Sequence, residues 1–323
     1  MSRLWRERLA TLIMFAAAVG WPAHATAIQQ TPFPDLKPVA VIPVGKTADW
    51  VLMTPGAVWV GSTGPNAVNR IDPRANRLTD AVTLPGEPCA GLAAGFGALW
   101  VPLCGEKPVL ARVNLTTRKV TALFDVAGIQ AEGGVAVSPN GVWLVTDAKG
   151  TLVRIDPANG TVRQTVTLPA GAFNPRYAGG VVWITQVEGS QVTAVDAKTG
   201  KVIGAAPTGP HPRFLTTGAD AVWTLNQGDG SLTRVRAQGR TPAWTAPLGT
   251  PGHGGDIALG RGVIWTTMAG VPLTATDAKT GAVIRRWVGP GGDSLAVGRD
   301  AIWLTDYHAG TIARIRLKDA LAR

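Results

Sequence analysis

Residues 134–168 read GVAVSPNGVWLVTDAKGTLVRIDPANGTVRQTVTL. Apolar residues dominate Gly134-Val135-Ala136-Val137 and Val142-Trp143-Leu144-Val145, and Pro139-Asn140-Gly141 separates the two runs. Asn-Gly between such runs supplies the positive φ angles that a tight hairpin needs. A third run follows, Leu152 to Asp156, then the turn Pro157-Ala158-Asn159-Gly160, then a fourth run from Thr161 to Leu168. Four short strands joined by tight turns predict one antiparallel sheet.

The same unit recurs along the chain. Trp143 is one of seven tryptophans, with Trp59, Trp100, Trp183, Trp223, Trp265 and Trp303, spaced by 41, 43, 40, 40, 42 and 38 residues. A period near forty is the size of a four-stranded propeller blade, so the expected fold is all-β, a seven-bladed β-propeller. With 40 Gly and 24 Pro the composition favours turns and strands. Each recurring Trp is expected on the second strand, packed between neighbouring blades. The phrase Arg154-Ile155-Asp156 returns as Arg70-Ile71-Asp72, Arg112-Val113-Asn114, Ala194-Val195-Asp196, Arg234-Val235-Arg236, Ala275-Thr276-Asp277 and Arg314-Ile315-Arg316. Its Asp or Asn is placed to cap the following turn. Its Arg stacks on Trp or is simply solvated.

The last unit contains three strand runs, from Ser294, Ala301 and Thr311. Residues 37–45 match the fourth-strand phrase, so the N-terminal strand is expected to complete the last blade and close the ring. Residues 1–27 have Arg3, Arg6 and Arg8, an apolar run from Leu9 to Gly20 and the small-x-small site Ala25-Thr26-Ala27. That is the layout of a secretory signal peptide. The expected organisation is signal peptide 1–27, linker 28–34, propeller 35–317 and C-terminal tail 318–323. The location implied is periplasmic or secreted, with no membrane span.

Net charge is +10, of which the leader's three arginines and one glutamate account for +2. The basic residues are dispersed and no basic cluster is present, which argues against nucleic acid as partner. The expected partner is an envelope protein or a small-molecule ligand. Cys89 and Cys104 face each other if the Phe96-Gly97 hairpin is ungapped, and export would place them in an oxidising compartment, so a cross-strand disulfide is expected. A free reactive pair or metal ligation is the alternative.

In a blade, the start of strand one and the end of strand two lie on one face, here called the top. Chemistry-bearing residues concentrate there. Strand-one starts carry Asp49, Glu132, Arg176, His211, Arg213, His253, Asp256 and Asp293; strand-two ends carry Asp147, Gln186, Glu188, Asn226, Asp306, Tyr307 and His308. The candidate ligand-binding set is Arg176, Arg213, His211, Asp293 and Asn226, with the two arginines suited to an anionic group. The candidate catalytic set is His253, Asp256, Asp306 and His308, a histidine beside a carboxylate being the basis of general acid/base work or metal binding. No nucleophile elbow, P-loop or dinucleotide fingerprint is present.

The phrases Gly-Val-Trp-Leu-Val-Thr-Asp (141–147), Leu-Val-Arg-Ile-Asp (152–156) and Asp-Ala-Lys-Thr-Gly-Lys-Val-Ile (196–203) resemble those of bacterial YVTN-type propellers and the streptogramin B lyase-like (virginiamycin B lyase-like) group. The likeness spans roughly residues 38–317. It implies a seven-bladed ring and, for the lyase group, Mg-assisted eliminative cleavage of a cyclic ester by a blade-start His and a Glu after the Trp. His253 matches the first role. Met268 stands where the acid belongs, with Asp306 or Asp256 as substitutes. Three readings therefore stand from the sequence: an exported propeller binding a ligand or protein through its top face, a lyase-like enzyme, and a purely structural subunit of a larger complex.

Overall fold

The computed structural model describes residues 28, 30–126, 128–249 and 252–322. The expected signal peptide lies outside the described residues. Seven small antiparallel sheets of four strands form a ring, which makes the protein a seven-bladed β-propeller. Blades 1 to 7 are numbered in chain order from Lys46, and strands one to four run from the central channel outward. In blade 3 the strands are Val135–Ser138, Gly141–Val145, Thr151–Ile155 and Val162–Thr167.

All seven recurring tryptophans are at most 3% exposed. They sit on strand two, where burying so large an apolar face fills the space between stacked sheets. Some indole edges are satisfied locally: Trp59 Nε1 donates to Thr54 Oγ1 at 2.9 Å and Trp143 Nε1 to Ser138 Oγ at 3.0 Å, while Trp223 Nε1 reaches Ala278 O and Trp265 Nε1 has no partner. Three of the five third-strand arginines of this phrase take the stacking alternative, and three add a second task. Arg154 lies 5.4 Å from the Trp143 ring centroid, Arg234 5.6 Å from that of Trp223 and Arg314 5.8 Å from that of Trp303. Nη1 of Arg112 also donates to Pro157 O, Nη1 of Arg154 to Lys198 O, and Nη1 of Arg314 to Pro73 O at 2.9 Å. Each is thus a clamp from one blade to the outer turn of the next. The Asp and Asn residues of the same phrase cap those turns, as Asp196 Oδ1 does for the N–H of Thr199 at 2.7 Å.

The ring closes as the sequence predicts. Ala40–Pro43 pairs antiparallel with Thr311–Arg316 and is the fourth strand of blade 7. Two segments differ from expectation. Within the expected linker, Gln30–Pro32 forms a parallel fifth strand on blade 6, Gln30 opposite Arg286. At the other end Leu317–Ala320 is a helical turn whose Leu317 and Ala320 are buried beside Leu36 and Trp287. Apolar side chains at both ends hold these segments to the ring. No helix among the described residues is long and apolar enough to cross a membrane.

The disulfide forms, with sulfurs 2.03 Å and Cα atoms 5.7 Å apart. Its register corrects the sequence argument. Gly95 pairs with Ala98 and Ala93 with Trp100, but Glu87, not Cys89, pairs with Cys104. The intervening residues bulge toward blade 3, where Gly91 N donates to Gly133 O and Glu132 N to Cys89 O. Cys89 therefore reaches Cys104 diagonally across the strands.

Candidate top-face site

Strand one of every blade lines the central channel, and its start delivers side chains to the top. There a cavity of about 590 Å³ gathers side chains from blades 1, 3, 5, 6 and 7. Of the residues singled out from sequence, it brings together Asp49, Glu132, Arg213, His253, Asp256, Asp293, Asp306, Tyr307 and His308. A second cavity of about 330 Å³ lies in the channel and shares Trp50, Phe214, Asp256 and Ser294 with the first. Arg176 lines this second cavity.

Four carboxyls dominate the mouth. Burial holds Asp49 well above the ordinary carboxylate range, with Asp293 and more distant acids pushing the same way and the Trp50 N–H opposing. Burial, then Asp256 and Glu132, push Asp293 up to about 6. Glu132 is raised by burial and eased by Arg213. Asp256 is raised by burial despite the Arg176 guanidinium and a set of donors. Those donors fix its orientation: Oδ1 accepts from Ile257 N at 2.7 Å, and Oδ2 accepts from Ser294 Oγ at 2.8 Å and Leu295 N at 3.2 Å. Like charges converging in a partly desolvated basin disfavour full ionisation.

Buried threonines set the rim. Thr267 Oγ1 accepts from Asp256 N at 2.7 Å and donates to the Asp293 carbonyl, tying blade 6 to blade 7. Thr185 does the same between blades 4 and 5, accepting from Asn174 N and donating to Arg213 O. Arg213 lies 4.5 Å from the Phe173 ring centroid, which holds its guanidinium at the edge of the basin.

The remaining sequence candidates stand elsewhere. Asn226 is fully buried and its amide is spent inside blade 5, on Ser231 Oγ at 2.9 Å and the hydroxyls of Thr224 and Thr233. Asp147 caps its own loop through Lys149 N and Thr151 N. Gln186 is wholly buried in blade 4. His211 is exposed and does not line the cavity that holds His253 and His308. Asp306 uses Oδ1 to cap Ala309 N. Ser294, Trp50 and Asn174 were not singled out in the sequence, and their only signal there is adjacency to strand-one charges. Among the described residues no grouping of three or more His, Cys, Asp or Glu is arranged to hold a metal ion.

This is a seven-bladed propeller with an ionisable basin over its channel. Residues 107–243, less than half of the chain, match the family model of the outer membrane protein assembly factor BamB. No curated protein matches the chain. Among solved structures, BamB from Moraxella catarrhalis superimposes with TM-score 0.60 at 15% identity, covering 85% of each chain. The computationally designed protein Ika8 superimposes with TM-score 0.64 at 13% identity, over 84% of this chain and 83% of that one. At such identities these structures share the fold alone.

Proposed function

We propose that this is an exported interaction protein that engages an envelope partner or ligand through the top face around the channel. The observation that carries the reading is the mouth basin, where carboxyls from four blades converge and, among the described residues, no cation comes within ion-pair distance of any of them. Asp49, Asp256 and Asp293 are half-buried and Glu132 stands exposed at the rim, and a bound partner offsets the cost of the partly desolvated acids. The match of residues 107–243 to an assembly factor supports a role in contacting other proteins and a site in the cell envelope. The disulfide fits an oxidising compartment.

The lyase alternative gains no such support. Met268 is buried where the acid would stand, Asp306 is engaged as a turn cap, and the acids near His253 make no metal-holding group among the described residues. The test compares wild type with Asp49→Asn, Asp293→Asn and with Arg299→Glu, which lies outside the basin. Each is used as bait for solubilised envelope proteins. A species retained by wild type and the control but lost by the double variant is the expected result. Equal retention by all three removes the top face from the function.

A further inference from the structure

Beneath the basin, the half-buried Arg176 lines the channel cavity. Nη1 donates to its own neighbour, Pro175 O, at 3.2 Å, and among the described residues no carboxylate comes within 4.0 Å. A guanidinium carries five N–H donors, and among the described residues only the bond to Pro175 O uses one, while the Asp256 carboxylate in the same cavity acts on it from beyond ion-pair distance. Room for it is made by glycine: a Cβ on Gly134 would come within 3.2 Å of Nη1, and one on Gly91 within 3.6 Å. Asn174 flanks the same spot. It is 1% exposed and lines the same cavity; Nδ2 donates to Gly133 O at 3.0 Å, while Oδ1 has no partner. The channel thus offers a forked cation, and the neighbouring Asn174 keeps a buried amide oxygen without a partner.

We propose that the channel is a binding site for a carboxylate bearing an adjacent N–H. The Arg176 guanidinium would hold the two carboxylate oxygens, and Asn174 Oδ1 would accept from the N–H. Planar forked donors match a carboxylate in a bidentate pair, and a buried acceptor left unpartnered selects for a donor beside it. An N-acylated α-amino acid has that pattern, whether as a free small acid or as the C-terminal residue of a peptide. Access is from the basin, because the two cavities share Trp50, Phe214, Asp256 and Ser294. The site rests on the top-face reading and names the group that such a partner would insert.

The experiment follows the Arg176 Nε–Hε resonance, assigned by its absence in Arg176→Lys, on ¹⁵N-labelled mature protein. N-acetylglycine should shift this resonance saturably, and N-acetylglycinamide, of the same shape without the charge, should not. Binding followed by calorimetry should weaken at least tenfold in Arg176→Met and to a lesser degree in Arg176→Lys, with unchanged far-UV circular dichroism. Acetyl-Lys-Ala-Gly with a free C-terminus binding more tightly than N-acetylglycine identifies a peptide end as the source; equal binding identifies a small acid. Equal binding of the amide, no saturable shift, or full affinity in a folded Arg176→Met overturns the proposal. An envelope partner lost by the Asp49, Asp293 double variant but indifferent to Arg176→Met would keep the top-face reading and remove this one.

Discussion

Trp143 has no exposed surface, and its indole N–H is satisfied by Ser138, so truncation loses both packing and a hydrogen bond. Trp143→Ala should cost about 3–5 kcal/mol in denaturant unfolding. Arg314 tests the clamp. It donates to Pro73 O and Asn76 Oδ1 in blade 1 while stacking on Trp303 in blade 7. Arg314→Met keeps the aliphatic packing, removes the bonds across the seam and should cost about 1–3 kcal/mol. Arg163→Met, which breaks only a solvent-exposed pair with Asp156, should cost under about 1 kcal/mol. Similar losses for the two variants would remove the clamp from the account. Asp293 carries a pH signature. Its folded-state pKa of about 6 lies above the ordinary 3.8, so the folded protein holds that proton more tightly than the unfolded chain. The stabilisation is complete below pH 3.8 and is lost as pH rises through 6. Asp293→Asn should therefore raise stability at pH 7 by on the order of 1–3 kcal/mol and leave it nearly unchanged at pH 4. Melting curves at the two pH values check this, and an equal change at both would show that neither burial of the Asp293 charge nor repulsion in the basin is the cause.

At the scale of elements, the closing strand and the cystine do different work. Ala40–Pro43 covers the outer edge of Thr311–Arg316, and Leu36, Ile42 and Val44 around it are buried. Without it blade 7 ends on an unpaired edge at the ring seam. Deleting residues 35–46 should give a chain without dispersed amide resonances, whereas starting at residue 33 removes only the parallel strand on blade 6, keeps Phe33 packed beside Leu36 and Trp287, and should leave a folded protein with a lower Tm. The disulfide joins residues 15 apart within blade 2. Replacing both cysteines by serine should cost about 3 kcal/mol by the chain-entropy argument, and the folded ring should remain. A loss of fold would mean that the bulge between Pro88 and Ala93 depends on the bridge.

For the whole molecule, what could be read from sequence divides by locality. Trp spacing and Asn-Gly turns announce the ring because each depends on a few neighbouring residues. Assignment of top-face side chains does not follow from spacing, because strand one carries irregularities. Register shifts fall between Asp49 and Leu52, between Ala172 and Pro175, and between Pro212 and Phe214. A shift of one residue turns a side chain to the opposite face. Arg176 stands opposite Trp183 and enters the channel, a place that Thr216 holds opposite Trp223 in blade 5, whereas Arg213 falls within the bulge and stays at the basin edge on Phe173. The same locality makes the ring indifferent to where the chain begins, which can be tested. Residues 30 and 322 lie near each other, since Gln30 pairs with Arg286 while Arg285 donates to Ala322 O at 2.6 Å. Joining residues 30 and 322 by a short Gly-Ser linker and opening the exposed turn between Gln238 and Gly239 moves the seam from blade 7 to blade 5. The new N-terminal strand, Pro242–Pro247, would then close blade 5 from outside as Ala40–Pro43 closes blade 7. Exposed turns tolerate such cuts, so the permutant should fold to the same far-UV spectrum with a modestly lower Tm. Opening the chain inside strand two of the same blade, between Thr224 and Leu225, should abolish folding, because both residues are buried. If the turn permutant also failed, closure would depend on the blade 7 seam itself and not on the general rule that the outermost strand can come from either end of the chain.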